Sequence, residues 1–191
     1  EYNLRLLDAL GIPRPSHPSL ELPVTAEEDQ RITQLLGRRG VSVYQGLVAV
    51  HPWTSNPKKQ WPMERFRKLM QRLASTPGVQ PVLIGGPEER RKVLDVVARD
   101  AEGVVDMVGR LSLEELAACL RRVRVLVTND SGPMHLAAAV GTPVVALFGT
   151  AEAGSHPARW GPWGRGHTVI HKPLEEITVD EVADAVQRYL P

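Results

Sequence analysis

The stretch Arg124-Val125-Leu126-Val127-Thr128-Asn129-Asp130-Ser131-Gly132-Pro133-Met134-His135-Leu136-Ala137-Ala138-Ala139 decides how this chain folds. An unbroken apolar run ends in polar residues, a Ser-Gly-Pro turn follows, and small residues then continue without a breaker. That pattern is a buried strand passing into a helix through a tight turn. Pro133 suits the first helical position, where its missing N–H removes a donor that would have had no partner. The next apolar run, Pro143-Val144-Val145-Ala146-Leu147-Phe148, begins directly after Gly141-Thr142. Strand, short helix, strand is the repeating step of a parallel sheet covered on both faces.

The same step recurs on either side. Upstream, short buried strands are predicted over Leu47 to His51, over Gln80 to Ile84 and, briefly, over Val104 to Asp106. Helices are predicted from Met63 to Ala74, around Glu88 to Arg99, and from Leu111 onward, with Ser112 as cap and Glu115 as its capping-box partner. Downstream come a strand over Thr168 to Ile170 and a helix from Thr178 to Tyr189. The expected fold class is therefore α/β, a Rossmann-like parallel sheet with helices on both faces. In such a sheet the ligand lies in the crevice beyond the carboxyl ends of the strands, so the strand-to-helix loops are where chemistry is sought.

The first residues read differently. Leu4, Leu6, Leu7 and Leu10 have helical spacing, and Gly11 stops it. Pro13, Pro15, Pro18 and Pro23 then impose an extended connector, until Thr25-Ala26-Glu27-Glu28 opens a capped helix that runs towards Gly37. The division expected is residues 1–25 as helix and linker, and residues 26–191 as the folded domain. The chain opens Glu1-Tyr2-Asn3-Leu4 already inside a helical pattern and without a methionine, as a piece of a longer protein would.

Composition narrows the partners. The 191 residues carry 23 Lys and Arg against 22 Asp and Glu, a net charge of +1, which gives no overall field for nucleic acid or an anionic membrane. The paired basic residues are scattered and read as solvated helix faces. One cysteine, Cys119, lies in an apolar helical run and reads as a small core residue. Six histidines show no metal-ligand spacing, so no metal is expected.

Three loops carry candidate chemistry. In the turn after Thr128, Gly132 allows close approach of a ligand, and the amides of Ser131, Met134 and His135 face whatever sits at the helix start. Such a start favours phosphate, through unpaired N–H groups and the positive end of the helix dipole. His135 adds a donor in the first turn, and Asp130 at the strand tip is placed to meet a sugar hydroxyl or amine. The plain alternative is that Asp130 and Ser131 only cap the helix. In the second loop, His51-Pro52-Trp53-Thr54-Ser55-Asn56-Pro57-Lys58-Lys59-Gln60-Trp61-Pro62, two hydroxyls and a lysine suit a diphosphate. Its plain alternative is a polar surface loop whose Trp61-Pro62 staples the helix start. The third, Ile84-Gly85-Gly86-Pro87-Glu88-Glu89-Arg90, lets a nucleotide come close, although turns use glycine as well. It lacks the dinucleotide Gly-x-Gly-x-x-Gly pattern.

Asp130-Ser131-Gly132-Pro133-Met134-His135-Leu136-Ala137-Ala138-Ala139 followed by Gly141-Thr142-Pro143-Val144-Val145-Ala146-Leu147-Phe148-Gly149 resembles the signature of glycosyltransferase family nine, the ADP-heptose:lipopolysaccharide heptosyltransferases. The resemblance spans residues 45 to 150, and residues 1–25 resemble the helix and linker between that family's two lobes. It implies the C-terminal half of a two-lobed GT-B glycosyltransferase, the half that binds the nucleotide sugar. By it Thr54, Ser55 and Lys59, rather than Lys58, hold the donor diphosphate, with Lys59 the catalytic group that stabilises the departing charge. Glu88, with Glu89 as its alternative, lies near the donor ribose, and Met107-Val108-Gly109-Arg110-Leu111-Ser112 supplies main-chain groups to the adenine edge. His51 receives no role. The run Phe148 to Pro157 departs from the family pattern, and Trp160-Gly161-Pro162-Trp163-Gly164 reads as a surface loop packed by its own tryptophans, with the lining of an acceptor entrance as the alternative.

The function implied is transfer of a heptose-type sugar from an ADP-linked donor to a lipopolysaccharide-core-like acceptor, with no cofactor beyond that donor substrate. The implied partners are an N-terminal acceptor-binding lobe, which supplies the catalytic base, and a lipid-linked saccharide at the inner membrane surface. The place implied is the cytoplasm, peripheral to that membrane, and this half is expected to be inactive by itself. The alternatives are another nucleotide-sugar enzyme, such as a 2-epimerase, and a non-catalytic nucleotide-binding module.

Overall fold

The computed structural model describes residues 4–13, 18–41, 46–97, 103–151 and 154–191. The first three residues of the opening helix, the last turn of the helix predicted to reach Arg99, and Glu152-Ala153 of the loop after Phe148 lie outside them. Six parallel strands form one sheet: β1 (Gly46–His51), β2 (Val79–Leu83), β3 (Val105–Asp106), β4 (Val125–Asn129), β5 (Val144–Phe148) and β6 (Thr168–His171). Their order across the sheet is β3-β2-β1-β4-β5-β6. Every residue of β1, β4 and β5 is buried, as continuous apolar runs require when both faces are covered.

The alternation of each strand sorts its side chains into two cores. Val48, Val50, Leu83, Val125, Val127, Val145 and Leu147 pack with Phe66, Leu69 and Met70 of α3 (Met63–Ala74) and with Val182 and Val186 of α8 (Val179–Gln187). Leu47, Ala49, Val82, Ile84, Leu126, Val144, Ala146 and Phe148 face the other way. They meet Ile32 and Leu36 of α2 (Ala26–Gly37), Ala118 to Leu120 of α5 (Leu113–Arg122), and Met134 and Ala137 of α6 (Gly132–Ala139). Cys119 sits in this second core, where burial pushes its thiol up to about 12.

Helix starts follow the caps written in the sequence. Thr25 and Ser112 each form a full capping box, with Glu28 and Glu115 respectively, and Thr178 accepts the Glu181 amide at 3.2 Å. Each cap contributes about 1 kcal/mol. One helix differs from expectation. The segment predicted as a helix from Glu88 is a 3₁₀ stretch, Pro87–Lys92, followed by a single α turn, α4 (Val93–Val96). Glu88-Glu89-Arg90-Arg91-Lys92 buries no side chain, so no apolar face holds it in α-helical register.

The first helix, α1 (Arg5–Ala9), also buries nothing, and Leu6, Leu10 and Ile12 stand exposed. The connector after it docks at two points. The Trp163 indole N–H donates to the Pro18 carbonyl at 3.0 Å, and the Leu22 amide donates to the Ala139 carbonyl at 3.0 Å. Trp163 thus packs onto the connector, while Trp160 of the short helix α7 (Pro157–Trp160) is exposed. Among the described residues no helix is long and apolar enough to cross a membrane.

Candidate functional site

The chain runs outward from β1 to β2 and β3, then returns across the sheet to place β4 on the other side of β1. That reversal opens a crevice between the loops that leave β1 and β4. His51 and Thr128 are register partners, so both strands end at the same level. The turns at Thr54 and Gly132 therefore emerge side by side.

The β1 loop is held there by Asn129, the last residue of β4. This side chain is fully buried; its oxygen accepts the Trp61 amide at 2.9 Å and its nitrogen donates to the Pro52 carbonyl at 2.7 Å. Trp61 is itself fully buried, donates its indole N–H to the Ile177 carbonyl at 2.9 Å and meets the Phe66 ring edge-on. The staple expected of Trp61 thus exists, and Asn129 ties both ends of the loop to the strand beside it. Sequence reading missed Asn129; its one signal was an amide at the end of an otherwise apolar strand.

Between those ties lie the candidate phosphate ligands. Asn56 accepts the Lys58 amide at 3.1 Å and so caps the 3₁₀ turn Pro57–Lys59, which turns the Lys59 side chain inward. Lys59 Nζ donates to Asp130 Oδ2 at 2.7 Å, with the lysine side chain one-quarter exposed and the aspartate 9 % exposed. The Ser155 hydroxyl donates to the same oxygen at 2.6 Å. Asp130 therefore faces a lysine and a serine of this chain, and it holds the ammonium at the mouth of the crevice. Ser155 comes from the loop that departs from the family pattern and was not expected in the site. Lys58 is exposed, Thr54 half-buried and Ser55 exposed.

At the start of α6 no side chain caps the helix. The Ser131 hydroxyl turns instead towards Thr128 Oγ1, at 2.9 Å, and His51 Nδ1, at 3.2 Å. The plain capping account of Asp130 and Ser131 therefore does not describe this turn. The Met134 amide is not open to a ligand: it donates to the Ser131 carbonyl at 3.2 Å, and the Met134 side chain is fully buried. Gly132 has an ordinary φ, and a Cβ built on it would meet nothing within 4 Å. No neighbour among the described residues requires a glycine here; its absent side chain leaves room in the crevice. His135 is exposed in the first turn.

A cleft of about 180 Å³ adjoins this turn, lined by His51, Gly85, Gly86, Leu111, Ser112 and Pro133. Gly85 has a structural cause of its own, since a Cβ there would lie 2.6 Å from the buried Trp53 ring. Glu88 is exposed, whereas Glu89 folds back so that its carboxylate would lie 2.9 Å from a Cβ on Gly86. The Met107 to Ser112 stretch leads from the outer strand β3 to the cleft wall. His51 is 8 % exposed, and burial pushes its imidazole down to about 4, so the ring is neutral at neutral pH. Apolar cleft, uncapped helix start, hydroxyls and one ammonium together suit a nucleoside followed by an anionic diphosphate.

Comparison with known proteins identifies the family. The model for glycosyltransferase family 9 (heptosyltransferase) matches residues 4–189. Lipopolysaccharide heptosyltransferase 3 of Escherichia coli K12 is 30 % identical over 168 residues, covering 85 % of this chain and 46 % of that protein. Lipooligosaccharide heptosyltransferase 2 of Haemophilus influenzae is 33 % identical over 132 residues, covering 65 % and 36 %. The chain thus spans less than half the length of these relatives. Among solved structures, a family 9 glycosyltransferase from Veillonella parvula superposes with a TM-score of 0.87 at 26 % identity, over 97 % of this chain and 58 % of that one. E. coli ADP-heptose lps heptosyltransferase II shares the fold, with a TM-score of 0.76 at 24 % identity, over 95 % of this chain and 56 % of that one.

Proposed function

The chain belongs to glycosyltransferase family 9, and from that premise we propose that it is the donor-binding half of an enzyme transferring a heptose-type sugar from an ADP-linked donor to a lipopolysaccharide-core-like acceptor. The observation that carries this reading is the pairing of Lys59 with Asp130 between two strand-end loops, beside a helix start that no side chain caps. In glycosyl transfer the bond from the anomeric carbon to the diphosphate breaks, and negative charge grows on the departing phosphate oxygen. Lys59, the hydroxyls of Thr54 and Ser55, and the main chain around Gly132 offer that charge a fixed set of donors. Asp130 holds the ammonium in place before the donor arrives, which spares its reorganisation at the moment of reaction. The cleft along Gly85, Gly86 and Leu111 takes the nucleoside, with Glu88 and Glu89 at its ribose side.

The relatives' greater length supports a second lobe, which binds the acceptor and supplies the base that takes its hydroxyl proton. In this account residues 1–25 are the helix and linker between the lobes, and the acceptor is a lipid-linked saccharide met at the inner face of the cytoplasmic membrane. The family match favours this account over an epimerase or a non-catalytic module.

In the intact enzyme, Lys59→Ala is expected to lower turnover by about two orders of magnitude or more, the usual cost of removing one preorganised donor to developing charge. Steady-state kinetics with ADP-heptose tests it, and turnover within threefold of the parent enzyme would remove Lys59 from the reaction.

A further inference from the structure

We propose that His51, at the end of β1, is a donor-binding residue: its Nδ1 is held by the hydroxyls of Ser131 and Thr128, and its Nε2 turns into the cleft to hydrogen-bond an oxygen of the bound nucleoside diphosphate. This rests on the nucleotide-sugar reading above and adds to it a residue that the motifs did not single out.

His51 Nδ1 lies 3.2 Å from Ser131 Oγ and 3.4 Å from Thr128 Oγ1, and the two hydroxyls are 2.9 Å from each other. A chain from Thr128 to Ser131 to Nδ1 gives each hydroxyl proton an acceptor, which a fully buried Thr128 requires. With Nδ1 accepting, the proton of a neutral imidazole sits on Nε2. That nitrogen has no partner among the described residues, although the residue is more than nine-tenths buried and lines the cleft. A polar atom without a protein partner, on a mostly buried residue and reached only from a cleft, is where a ligand atom belongs. The cleft wall runs from Gly85 and Gly86 to Pro133 at the start of α6, so an Nε2 donor here faces the junction of nucleoside and phosphate. A neutral donor at that point favours a hydroxyl or phosphate oxygen without adding a second charge beside Lys59.

Two substitutions separate binding from support. His51→Asn keeps a polar atom where Nδ1 stands and removes Nε2; His51→Gln keeps a donor near Nε2 and removes Nδ1. Calorimetric titration of the 191-residue chain with ADP is expected to show His51→Asn weakened about tenfold, the loss of one hydrogen bond with its partner left unpaired, and His51→Gln within threefold of the parent. Titrations with adenosine and with pyrophosphate then locate the oxygen: a loss carried into adenosine marks the ribose, a loss carried into pyrophosphate the phosphate. Equal weakening of both variants, or none in His51→Asn, overturns the proposal. Should His51→Asn fail to fold by thermal melting, a tenfold loss in His51→Gln alone overturns it. If the folded parent chain binds neither ADP, adenosine nor pyrophosphate, the nucleotide reading itself has failed, an outcome distinct from parent binding that His51→Asn leaves unchanged.

Discussion

His51 couples the stability of the fold to pH. Burial lowers its pKa from 6.5 to about 4, so the unfolded chain takes up the proton first as pH falls. The folded state therefore has its full stability above pH 6.5 and loses it progressively as pH falls towards 4. A depression of that size corresponds to about 3 kcal/mol. Urea denaturation from pH 7 to pH 4 should show the parent chain losing about that much more stability than His51→Gln, whose side chain has no proton to gain. Parallel pH profiles would show that the imidazole of the folded chain takes up its proton over the same pH range as that of the unfolded chain. The same residue marks the limit of sequence reading. Its type is visible, but its burial depends on Thr128 and Ser131, 77 and 80 positions away.

At the scale of elements, the strand-end turns owe their position to Asn129. Asn129→Ala leaves the Trp61 amide and the Pro52 carbonyl buried without partners, and should cost about 2–4 kcal/mol. A loss under about 0.5 kcal/mol in urea denaturation would mean that water or a shifted loop replaces both bonds. The strands and most helices were legible because burial on two faces demands unbroken apolar runs, and because Thr25, Ser112 and Thr178 cap where the pattern begins. Lys59 was singled out by resemblance, but its pairing with Asp130 was not legible, since the motif gives residue types and the sheet order gives their meeting. Asn129 read as the first loop residue, although the ladder reaches it. Gly85 was assigned to a nucleotide's approach, while the structure shows the Trp53 ring beneath it. The 3₁₀ stretch at Pro87–Lys92 escaped because charge without an apolar face is compatible with either winding.

Across the whole molecule, the two cores on the sheet faces draw, among the described residues, on nothing before Val24, and α1 contributes no buried residue. Leu6→Ser with Leu10→Ser should therefore change the stability of this chain by no more than about 0.5 kcal/mol. A loss above 1 kcal/mol in the same denaturation assay would show that α1 packs on the domain in solution. The central claim is that the crevice between β1 and β4 holds a diphosphate against Lys59 and the start of α6. It is tested most directly by calorimetric titration of ADP into the parent chain and its Lys59→Ala variant. Saturable one-to-one binding to the parent is expected, with at least about tenfold weaker binding to the variant, as loss of a charge-assisted contact entails. A folded parent that does not bind ADP, or a variant that binds it equally well, would contradict it.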